Sequence, residues 1–455
     1  MMNYFKGLIY LILTVSSVQL SAQNSIIEFI KDGNLSGNQR TFLMATDNQA
    51  NLMDWYGLST GGNVNYSTDK YNGFSLSVGY YGLTNVFGNS NLRDSITGKQ
   101  SRYVLGNYDF ADINNRTYGY VGEAVLKYKS EQFHLNIGRF KYKSPLLNPQ
   151  DGSMLPTLVQ GLNISYNVNS SITTEFSWFE SILARSSSRF LSIEESFGVY
   201  PQGLSVGQGP SKYKGNLNSN GIFVSSIKYK SKTLNFRLYN YTIENVLNSM
   251  YVDVSKQALV FGLKSKFSFQ YIRQDNLNRN TNLSVSEMYM SEEMAQVFGA
   301  KYQIAPRNKM LVSLNANYIT DQGRFLFPRE WGIEPLYTFQ KRERLEGMSN
   351  TFSWMIDFKN TLLIKETRKI NYSLSYGHYY RPDIQNHSQN KYLMPANSQL
   401  TFDVLYLPQS IKKGFVLEWI TAFKSPLSND EILNMKAVLN KVNMISHNLI
   451  LNYYF

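Results

Sequence analysis

The sequence predicts an all-β protein, a single transmembrane antiparallel β-barrel of about 18 strands, and three observations support this. Apolar and polar residues alternate along many segments, as expected when successive side chains of a strand face opposite sides. Short and long connections follow one another along the chain. Aromatic residues make up 14% of a chain whose mean hydropathy is −0.31, a combination typical of barrels with aromatic girdles and a wet interior.

The first residues predict export from the cytoplasm. Lys6 supplies a basic residue, Gly7–Val15 is apolar, and Leu20–Ala22 offers a small-residue cleavage site before Gln23. This pattern is typical of a secretory signal peptide over residues 1–22, and its apolar run is too short to span a membrane. Residues 23–455 would then form one outer-membrane barrel domain, because no linker-like composition divides them.

The composition excludes several kinds of site. The chain contains no cysteine, so disulfides, lipid attachment at a cysteine and thiolate metal sites are excluded. The sequence shows no cluster of histidine and carboxylate residues, so we expect no transition-metal site and no cofactor, while surface calcium stays open. The net charge of +12 comes largely from lysines at short turns, and no basic run with interleaved aromatics indicates nucleic acid.

The alternation is clear in segments such as Phe74–Tyr81 and Ile172–Trp178. A soluble sandwich also alternates, so this pattern alone does not decide the fold. Counting such segments gives 18 strands, an even number that would place both termini in the periplasm. The predicted strands cover residues 35–46, 55–67, 73–83, 116–129, 131–142, 157–168, 171–185, 218–230, 232–243, 249–263, 266–275, 294–305, 308–320, 344–358, 369–380, 397–407, 414–424 and 445–455.

The connections favour a membrane barrel over a sandwich. Links such as Tyr128–Glu131, Tyr229–Lys232 and Leu263–Lys266 are short, and long links lie between them. Short periplasmic turns that alternate with long external loops are typical of outer-membrane barrels. A terminal strand that ends on Phe455 supports the same fold. A barrel of roughly 16–18 strands is wide enough for a water-filled channel.

Three blocks resemble the OprD family of outer-membrane porins. The first is GGNVNYST at Gly61–Thr68 with YNGFSL at Tyr71–Leu76, the second is GRFKYKSPLLNPQDGSMLPTLVQG at Gly138–Gly161, and the third is FPREWGIEPLYTFQKRERLEG at Phe327–Gly347. They lie far apart and in the expected order, so the resemblance covers most of the chain. It implies an 18-stranded barrel, narrowed by inward loops, in which basic residues guide carboxylate-bearing solutes. It also favours a monomer, and a weak homo-oligomer stays open.

Strand parity assigns charged residues of both signs to the interior, so parity alone does not predict a positive interior. Parity is informative in mid-strand because Arg or Lys facing lipid costs about 2–4 kcal/mol at the midplane. Arg139 falls on the outward parity: either a bulge near Gly138 turns it inward, which we favour, or it lies at the lipid headgroups. The residues assigned to the interior are Arg185, Arg237, Arg381, Glu123, Glu175, Asp357, Asp403 and Glu418.

Two loops are candidates for lining a pore. Prolines prevent regular pairing within Pro145–Pro156; the resemblance favours an inward fold with Asp151, Ser153 and Met154 at the constriction, and an ordinary external loop is the alternative. In the second loop, arginines stand among glutamates, which favours a salt-bridged loop surface over an outer funnel that steers anions. The charged residues of this second loop are Arg324, Arg329, Arg342, Arg344, Glu330, Glu334, Glu343 and Glu346.

We therefore expect a passive outer-membrane channel for small polar solutes, surrounded by outer-membrane lipid. Carboxylate-bearing nutrients such as amino acids or organic acids are favoured by the resemblance. A barrel enzyme is the alternative; it would use His378 and His387 near Asp383, but no Gly-x-Ser-x-Gly turn accompanies them. A surface-polysaccharide-binding barrel is a third possibility. The sequence leaves the identity and charge of the solute open.

Overall fold

The computed structural model describes residues 32–110, 112–149, 152–280, 282–365, 368–408, 414–428 and 434–455. The signal peptide expected over residues 1–22 lies outside these residues. The main element is one antiparallel sheet that closes on itself, because β1 pairs with both β2 and β19. The two-residue strand β8 is attached to the end of β7, and β7 pairs directly with β9. Eighteen strands therefore form a closed barrel, which confirms the predicted 18-stranded antiparallel barrel.

The strands of the barrel are 8 to 15 residues long, and the separate strand β8 has two residues. Their bounds are β1 Asn34–Asp47, β2 Trp55–Ser67, β3 Phe74–Gly88, β4 Thr117–Lys129, β5 Phe133–Phe140, β6 Leu158–Asn167, β7 Ile172–Leu183, β8 Leu191–Ser192, β9 Ile222–Lys230, β10 Leu234–Ile243, β11 Leu247–Val260, β12 Leu263–Asn276, β13 Met294–Ala305, β14 Met310–Ile319, β15 Thr351–Lys365, β16 Arg368–Tyr380, β17 Asn397–Leu407, β18 Gly414–Pro426 and β19 Met444–Tyr454.

The outer wall is an exposed apolar surface. Phe267 and Phe269 of β12 are about half exposed. Gln270 of the same strand, which pairs with β11 and β13, faces the inner side and is fully buried. In β19 the same alternation exposes Leu449 and buries Asn448. A contiguous apolar surface around the whole sheet is not compatible with water and is the surface that a bilayer covers.

Both tight turns predicted at Tyr128–Glu131 and Tyr229–Lys232 lie on the rim where β19 ends. The register pairs Phe74 with Tyr128 at this rim. The same rim carries the pairing of Ile172 with Tyr229. Phe455 exchanges backbone hydrogen bonds with Gly37 at the start of β1. This part of the predicted topology is confirmed.

Two predicted boundaries are wrong. Leu263–Lys266 is not a turn but the beginning of β12; the turn is Phe261–Gly262, where both residues have positive φ, 50° and 75°. Glycine adopts this conformation without steric cost, which is why the chain reverses there. The strand predicted to begin at residue 344 begins at Thr351. Residues 344–350 belong to the preceding loop, because their backbones bond to other loops, as when Ser349 donates to Gln389.

The helices among the described residues are single turns within the long connections. They are a 3-10 turn at Val104–Asn107, α1 at Ile193–Ser196 and α2 at Met435–Val438. Over the part of the chain that the structure describes, no helix is both long and apolar enough to cross a membrane.

The core lies between the long loops and the inner wall. Leu146 and Leu147, in the loop between β5 and β6, are buried in a cluster that includes Ile222 and Tyr241 from the inner face. A second cluster packs Leu105 of the 3-10 turn against Phe42 of β1. Apolar loop residues thus remove the inner wall from water over part of the interior, which stabilises these loops by burial.

Candidate functional site

The inner wall carries acids that are paired with cations. Arg237 of β10 lies 3.1 Å from Asp253 of β11, and Tyr251 also accepts a hydrogen bond from its guanidinium. The Arg237 side chain is 45% exposed, so its outer edge faces the water of the interior. The other pairs on the inner wall are Glu123 with Lys141, Glu175 with Lys228, Asp357 with Lys359, and both Asp403 and Glu418 with Lys341.

The long loop between β14 and β15, residues 320–350, contacts the inner wall at several strands. The Tyr337 hydroxyl donates to Asp253 of β11 at 2.6 Å. Thr338 donates from its backbone to Asn317 of β14. Lys341 donates to Asp403 of β17, and Arg342 donates to Asn448 of β19. These contacts hold the 320–350 loop against the inside of the sheet.

A fully buried group of charges anchors this loop. Glu343 accepts hydrogen bonds from Arg381 at 2.7 Å and from Lys424 of β18 at 2.8 Å, and all three side chains are 0% exposed. Asn397 donates to the same carboxylate. Burial opposes ionisation of Glu343, but Lys424 and Arg381 outweigh it and lower its pKa to about 2.

The position of Arg381 corrects a prediction. Parity assigned it to the interior as a residue that a passing solute meets, and its side chain does lie inside the wall. Its guanidinium is however sealed from water and bonds to Glu343, Asn397 and the Pro395 carbonyl oxygen. Arg381 is therefore an anchor of the loop and not a residue that lines an open path.

A cavity of about 690 Å³ opens between the 320–350 loop and the neighbouring long loops. Its floor includes the inner-wall residues Phe42, Ile420 and Ile450. Within the described part of the chain, a single acid, Glu343, is among the residues around it. The eleven basic residues around the cavity are Arg93, Lys99, Arg102, Arg185, Arg329, Lys341, Arg342, Arg344, Lys391, Lys436 and Lys441.

Three of these arginines are close together at the cavity. Arg185 and Arg344 both donate to the Gly332 carbonyl oxygen, at 3.4 and 3.3 Å. Burial and the neighbouring Arg185 lower the pKa of Arg344 to about 9. Burial also lowers the pKa of Arg342 to about 10, and Arg185 adds to the effect. The site is therefore one where positive charge is held at an electrostatic cost.

Some arginines of the 320–350 loop form salt bridges and others border the cavity, so each of the two interpretations, a salt-bridged loop surface and an anion-steering funnel, fits some of them. Arg324 is salt-bridged to Glu292 at 2.9 Å, and Arg329 lies 3.5 Å from Glu346, as the favoured interpretation expects. Arg342 instead contacts the amide of Asn448 and lies over the Tyr103 ring. Its side chain borders the cavity, as the alternative of an anion-steering funnel expects.

The Pro145–Pro156 segment lies beside the cavity. Its Leu146 backbone donates to the Tyr241 hydroxyl of β10, and Asn148 donates to the Ile333 carbonyl of the 320–350 loop. Ser153 borders the cavity, and Met154 is buried in the cluster with Phe42. The third residue predicted here, Asp151, lies outside the residues that the structure describes.

The favoured placement of Arg139 is wrong. Gly138 has a φ of 119°, yet Arg139 stays in register with exposed Ala124 and with Gln160. Its Nε donates to Gln160, whose amide donates to exposed Glu180. The register thus leaves Arg139 on the outer surface near the rim of the long loops, where hydrogen bonds to the Gln160 side chain and the Val121 carbonyl oxygen satisfy the guanidinium.

The two histidines of the enzyme hypothesis do not form a site. His378 lies on the lipid-facing side of β16, where its ring stacks on Trp354 at 4.7 Å and bonds to Tyr376. His387 lies in the loop between β16 and β17, and its carbonyl oxygen accepts a hydrogen bond from Arg324. The described residues also contain no group of histidines and carboxylates that could hold a metal ion.

Sequence reasoning missed Tyr103, Arg102 and Lys391. Tyr103 donates to the Arg342 and Asn440 carbonyls. Lys391 is buried beside Glu346 with its Nζ over the rings of Tyr213, Tyr289 and Tyr392. These residues lie in long loops, where no period-two pattern reports the direction of a side chain.

Comparisons with known proteins give one family match and many structural matches. The family described as outer membrane porin, OprD family, matches residues 27–320. No curated protein matches the chain. Among solved structures, Acinetobacter baumannii OccAB2 superposes with a TM-score of 0.68 at 14% identity, over 94% of this chain and 99% of that one. Pseudomonas aeruginosa OpdK with vanillate gives 0.67 at 13%, and P. aeruginosa OccK2 (OpdF) with glucuronate gives 0.65 at 12%, both with the same coverage.

Proposed function

The chain belongs to the OprD family of outer-membrane porins, and on that premise we propose that its passive channel favours solutes that carry a carboxylate. As an OprD-family porin it lies in the bacterial outer membrane, passes small solutes, and is not an enzyme. The proposal adds selectivity to this. The proposal also includes a monomeric barrel and a cleaved signal peptide. It places both termini in the periplasm, because the short turns and Phe455 share one rim and short turns of outer-membrane barrels lie on the periplasmic side.

The observation that carries the proposal is the cavity bordered by eleven basic residues and, among the described residues, by the single acid Glu343. A cleft with one sign of charge raises the local concentration of oppositely charged solutes and their rate of entry. Guanidinium groups add geometric selectivity, because their planar fork matches both oxygens of a carboxylate. Arg185 and Arg342 are therefore the groups that would meet the solute first in the cavity.

The path would continue past the 320–350 loop to Arg237. Arg342 and Lys341 on this loop contact the inner wall, so the loop and the Pro145–Pro156 segment would narrow the channel here. Arg237, partly exposed inside the wall, would then receive the solute on its way inward. Vanillate and glucuronate, found with two of the similar structures, both carry a carboxylate, which agrees with this chemistry.

Reconstituted channels test the proposal with gluconate and glucose, which have nearly the same size and differ in charge. Wild-type protein should be anion-selective and should pass gluconate faster than glucose. Arg342→Gln should reduce the advantage of gluconate about tenfold, the value of a lost charge-assisted hydrogen bond. Arg307→Gln is the control, because Arg307 is exposed at the turn between β13 and β14. Cation selectivity in the wild type, or faster passage of glucose, would reject the carboxylate proposal.

A further inference from the structure

Arg342 has a backbone conformation that an arginine rarely adopts. Its φ is 75°, in the left-handed region that favours glycine and is costly for a residue with a Cβ atom. It is the third residue of a turn that the Glu343 N–H closes on the Gln340 carbonyl oxygen at 3.0 Å, and glycine or asparagine is usual there when φ is positive. A residue in such a conformation persists only where its surroundings hold it, and it is typical of functional sites.

Tyr103 contacts both the backbone and the side chain of Arg342. Its hydroxyl donates to the Arg342 carbonyl oxygen at 3.0 Å. The Arg342 guanidinium lies over the Tyr103 ring, 5.4 Å from the ring centroid. The same hydroxyl accepts a hydrogen bond from Lys424 at 3.5 Å, and Lys424 is bonded to Glu343. Tyr103 therefore connects Arg342 to the buried charges that anchor the 320–350 loop.

Tyr103 itself is fixed to the wall of the barrel. It directly precedes the 3-10 turn Val104–Asn107 and is only 7% exposed. In that turn, the Asn107 amide donates to the carbonyl oxygens of Phe42 in β1 and Gly57 in β2. The Tyr103 ring is therefore a rigid support against which the Arg342 side chain packs.

The charges around Arg342 leave the direction of its side chain to uncharged neighbours. The charged side chains that act on it most strongly are Arg185 and Arg40, which repel it, and Glu418, which attracts it. The acid among them is bound by Lys341. The contacts of the guanidinium itself are with the amide oxygen of Asn448 and the ring of Tyr103.

We propose that Tyr103 is a positioning residue of the channel: it holds the Arg342 guanidinium at the cavity and thereby determines how strongly a carboxylate is favoured over a neutral solute. The inference rests on the proposed function and deepens it. Both residues border the cavity. A guanidinium with one fixed direction binds a carboxylate better than one that must be ordered at each passage, because ordering a side chain costs conformational entropy.

A double-mutant cycle in reconstituted channels tests the inference. The ratio of gluconate to glucose permeation is measured for the wild type, Tyr103→Leu, Arg342→Gln and the double variant. We expect Tyr103→Leu to lower the ratio roughly threefold, the value of a lost cation–π contact, although the substitution changes no charge. In the Arg342→Gln background the same substitution should have no further effect, because the group that Tyr103 positions is absent.

Two further variants separate positioning from packing. Tyr103→Phe keeps the ring and loses only the hydroxyl, so the ratio should fall roughly twofold; this variant also serves as the test if Tyr103→Leu does not fold. Tyr108→Leu is the matched control, because Tyr108 follows the same 3-10 turn, is 2% exposed and has its hydroxyl against Gly88 of β3. It should leave the ratio as in the wild type. Circular dichroism checks that each variant is folded.

The outcomes distinguish this inference from the proposed function. If Tyr103→Leu lowers the ratio equally with and without Arg342, or if Tyr108→Leu lowers it as much, Tyr103 acts through loop packing and the inference is wrong. If neither Tyr103 variant changes the ratio and Arg342→Gln lowers it, the inference fails and carboxylate selectivity stands. If the wild type does not favour gluconate and Arg342→Gln changes nothing, the proposed function fails and the inference with it.

Discussion

Glu343 and Arg381 form a salt bridge of 2.7 Å in which both side chains are completely buried. Glu343 lies in the 320–350 loop and Arg381 directly follows β16, so the pair joins a loop inside the barrel to its wall. Two buried charges with excellent geometry are strongly interdependent, because loss of one leaves the other uncompensated. Lys424 bonds to the same carboxylate and increases this dependence.

Glu343→Gln should therefore loosen the 320–350 loop. The neutral amide leaves Arg381 and Lys424 as buried cations, at a cost of about 3–5 kcal/mol. We expect noisier single-channel currents and a lower unfolding temperature by circular dichroism. Glu293→Gln, which removes an exposed acid from a neighbouring loop, should change neither. Quiet currents in Glu343→Gln would contradict the anchoring role.

The same anchor predicts a dependence on pH. The pKa of Glu343 is lowered from 4.5 to about 2, so the folded state favours the ionised carboxylate. Its stabilisation is fully present above pH 4.5 and is lost as the pH falls from 4.5 towards 2. Wild-type current noise should accordingly rise only below pH 4.5, whereas Glu343→Gln channels should already be noisy at pH 7. If the current noise of the wild-type channel already rises near neutral pH, a titratable group other than Glu343 controls the noise.

Tyr337→Phe tests a second tether of the loop. The Tyr337 hydroxyl donates to Asp253 of the inner wall at 2.6 Å, and a hydrogen bond to a charged group contributes about 1.5–3 kcal/mol. We therefore expect Tyr337→Phe channels to spend roughly tenfold more time than wild-type channels in states of fluctuating current, as measured in single-channel traces. Tyr318→Phe removes a hydroxyl from the lipid-facing side of β14 and should leave the traces unchanged. Identical traces in both variants would show that this tether is dispensable.

The side of the sheet on which a strand residue lies could be predicted from the sequence, whereas the contacts of the long loops inside the barrel could not. Glu175 and Arg237 were assigned to the interior because strand geometry fixes the side of each residue from its neighbours. The Glu343–Lys424 contact joins residues far apart in the chain, and the loop around Glu343 has no period from which a direction follows. Arg342 and Arg324 lie in the same long loop, yet one borders the cavity and the other is paired with Glu292.

Arg237→Gln should shift ion selectivity towards cations. The substitution removes a partly exposed positive charge and leaves Asp253, its partner at 3.1 Å, with less compensation. A unit charge about 6 Å from a passing ion contributes about 0.7 kcal/mol in water, which is roughly threefold in the permeability of one ion. Because its loss disfavours the anion and favours the cation by the same amount, the anion-to-cation permeability ratio should fall roughly tenfold. Reversal potentials in a salt gradient measure this, with Lys232→Gln at the short-turn rim as the control. A wild-type channel that prefers cations and an Arg237→Gln variant without effect would reject carboxylate selectivity.

His378→Ala and His387→Ala should both leave conductance unchanged. His378 stacks on Trp354 at the outer surface of the sheet, away from the channel, and aromatic residues of this kind belong to the interfacial girdle. Planar-bilayer recordings check the conductance, and a lipid-hydrolysis assay serves as the second readout. Hydrolysis by wild-type protein that either substitution abolishes would contradict the assignment as a passive porin.

Arg139 provides the sharpest test of which arginines meet the solute, because the sequence left two positions open for it. The register of Arg139 with Ala124 and Gln160 keeps its side chain on the outer surface, while Arg185 borders the cavity. Both residues are arginines near the long-loop rim, so Arg139→Gln and Arg185→Gln change the total charge equally. If the position of an arginine relative to the channel determines ion selectivity, Arg185→Gln should lower the anion-to-cation permeability ratio severalfold. Arg139→Gln should leave the reversal potential as in the wild type. An equal shift from both substitutions would mean that net charge at the rim, and not the cavity, controls entry. A shift from Arg139→Gln alone would place its guanidinium inside the channel and restore the bulge interpretation.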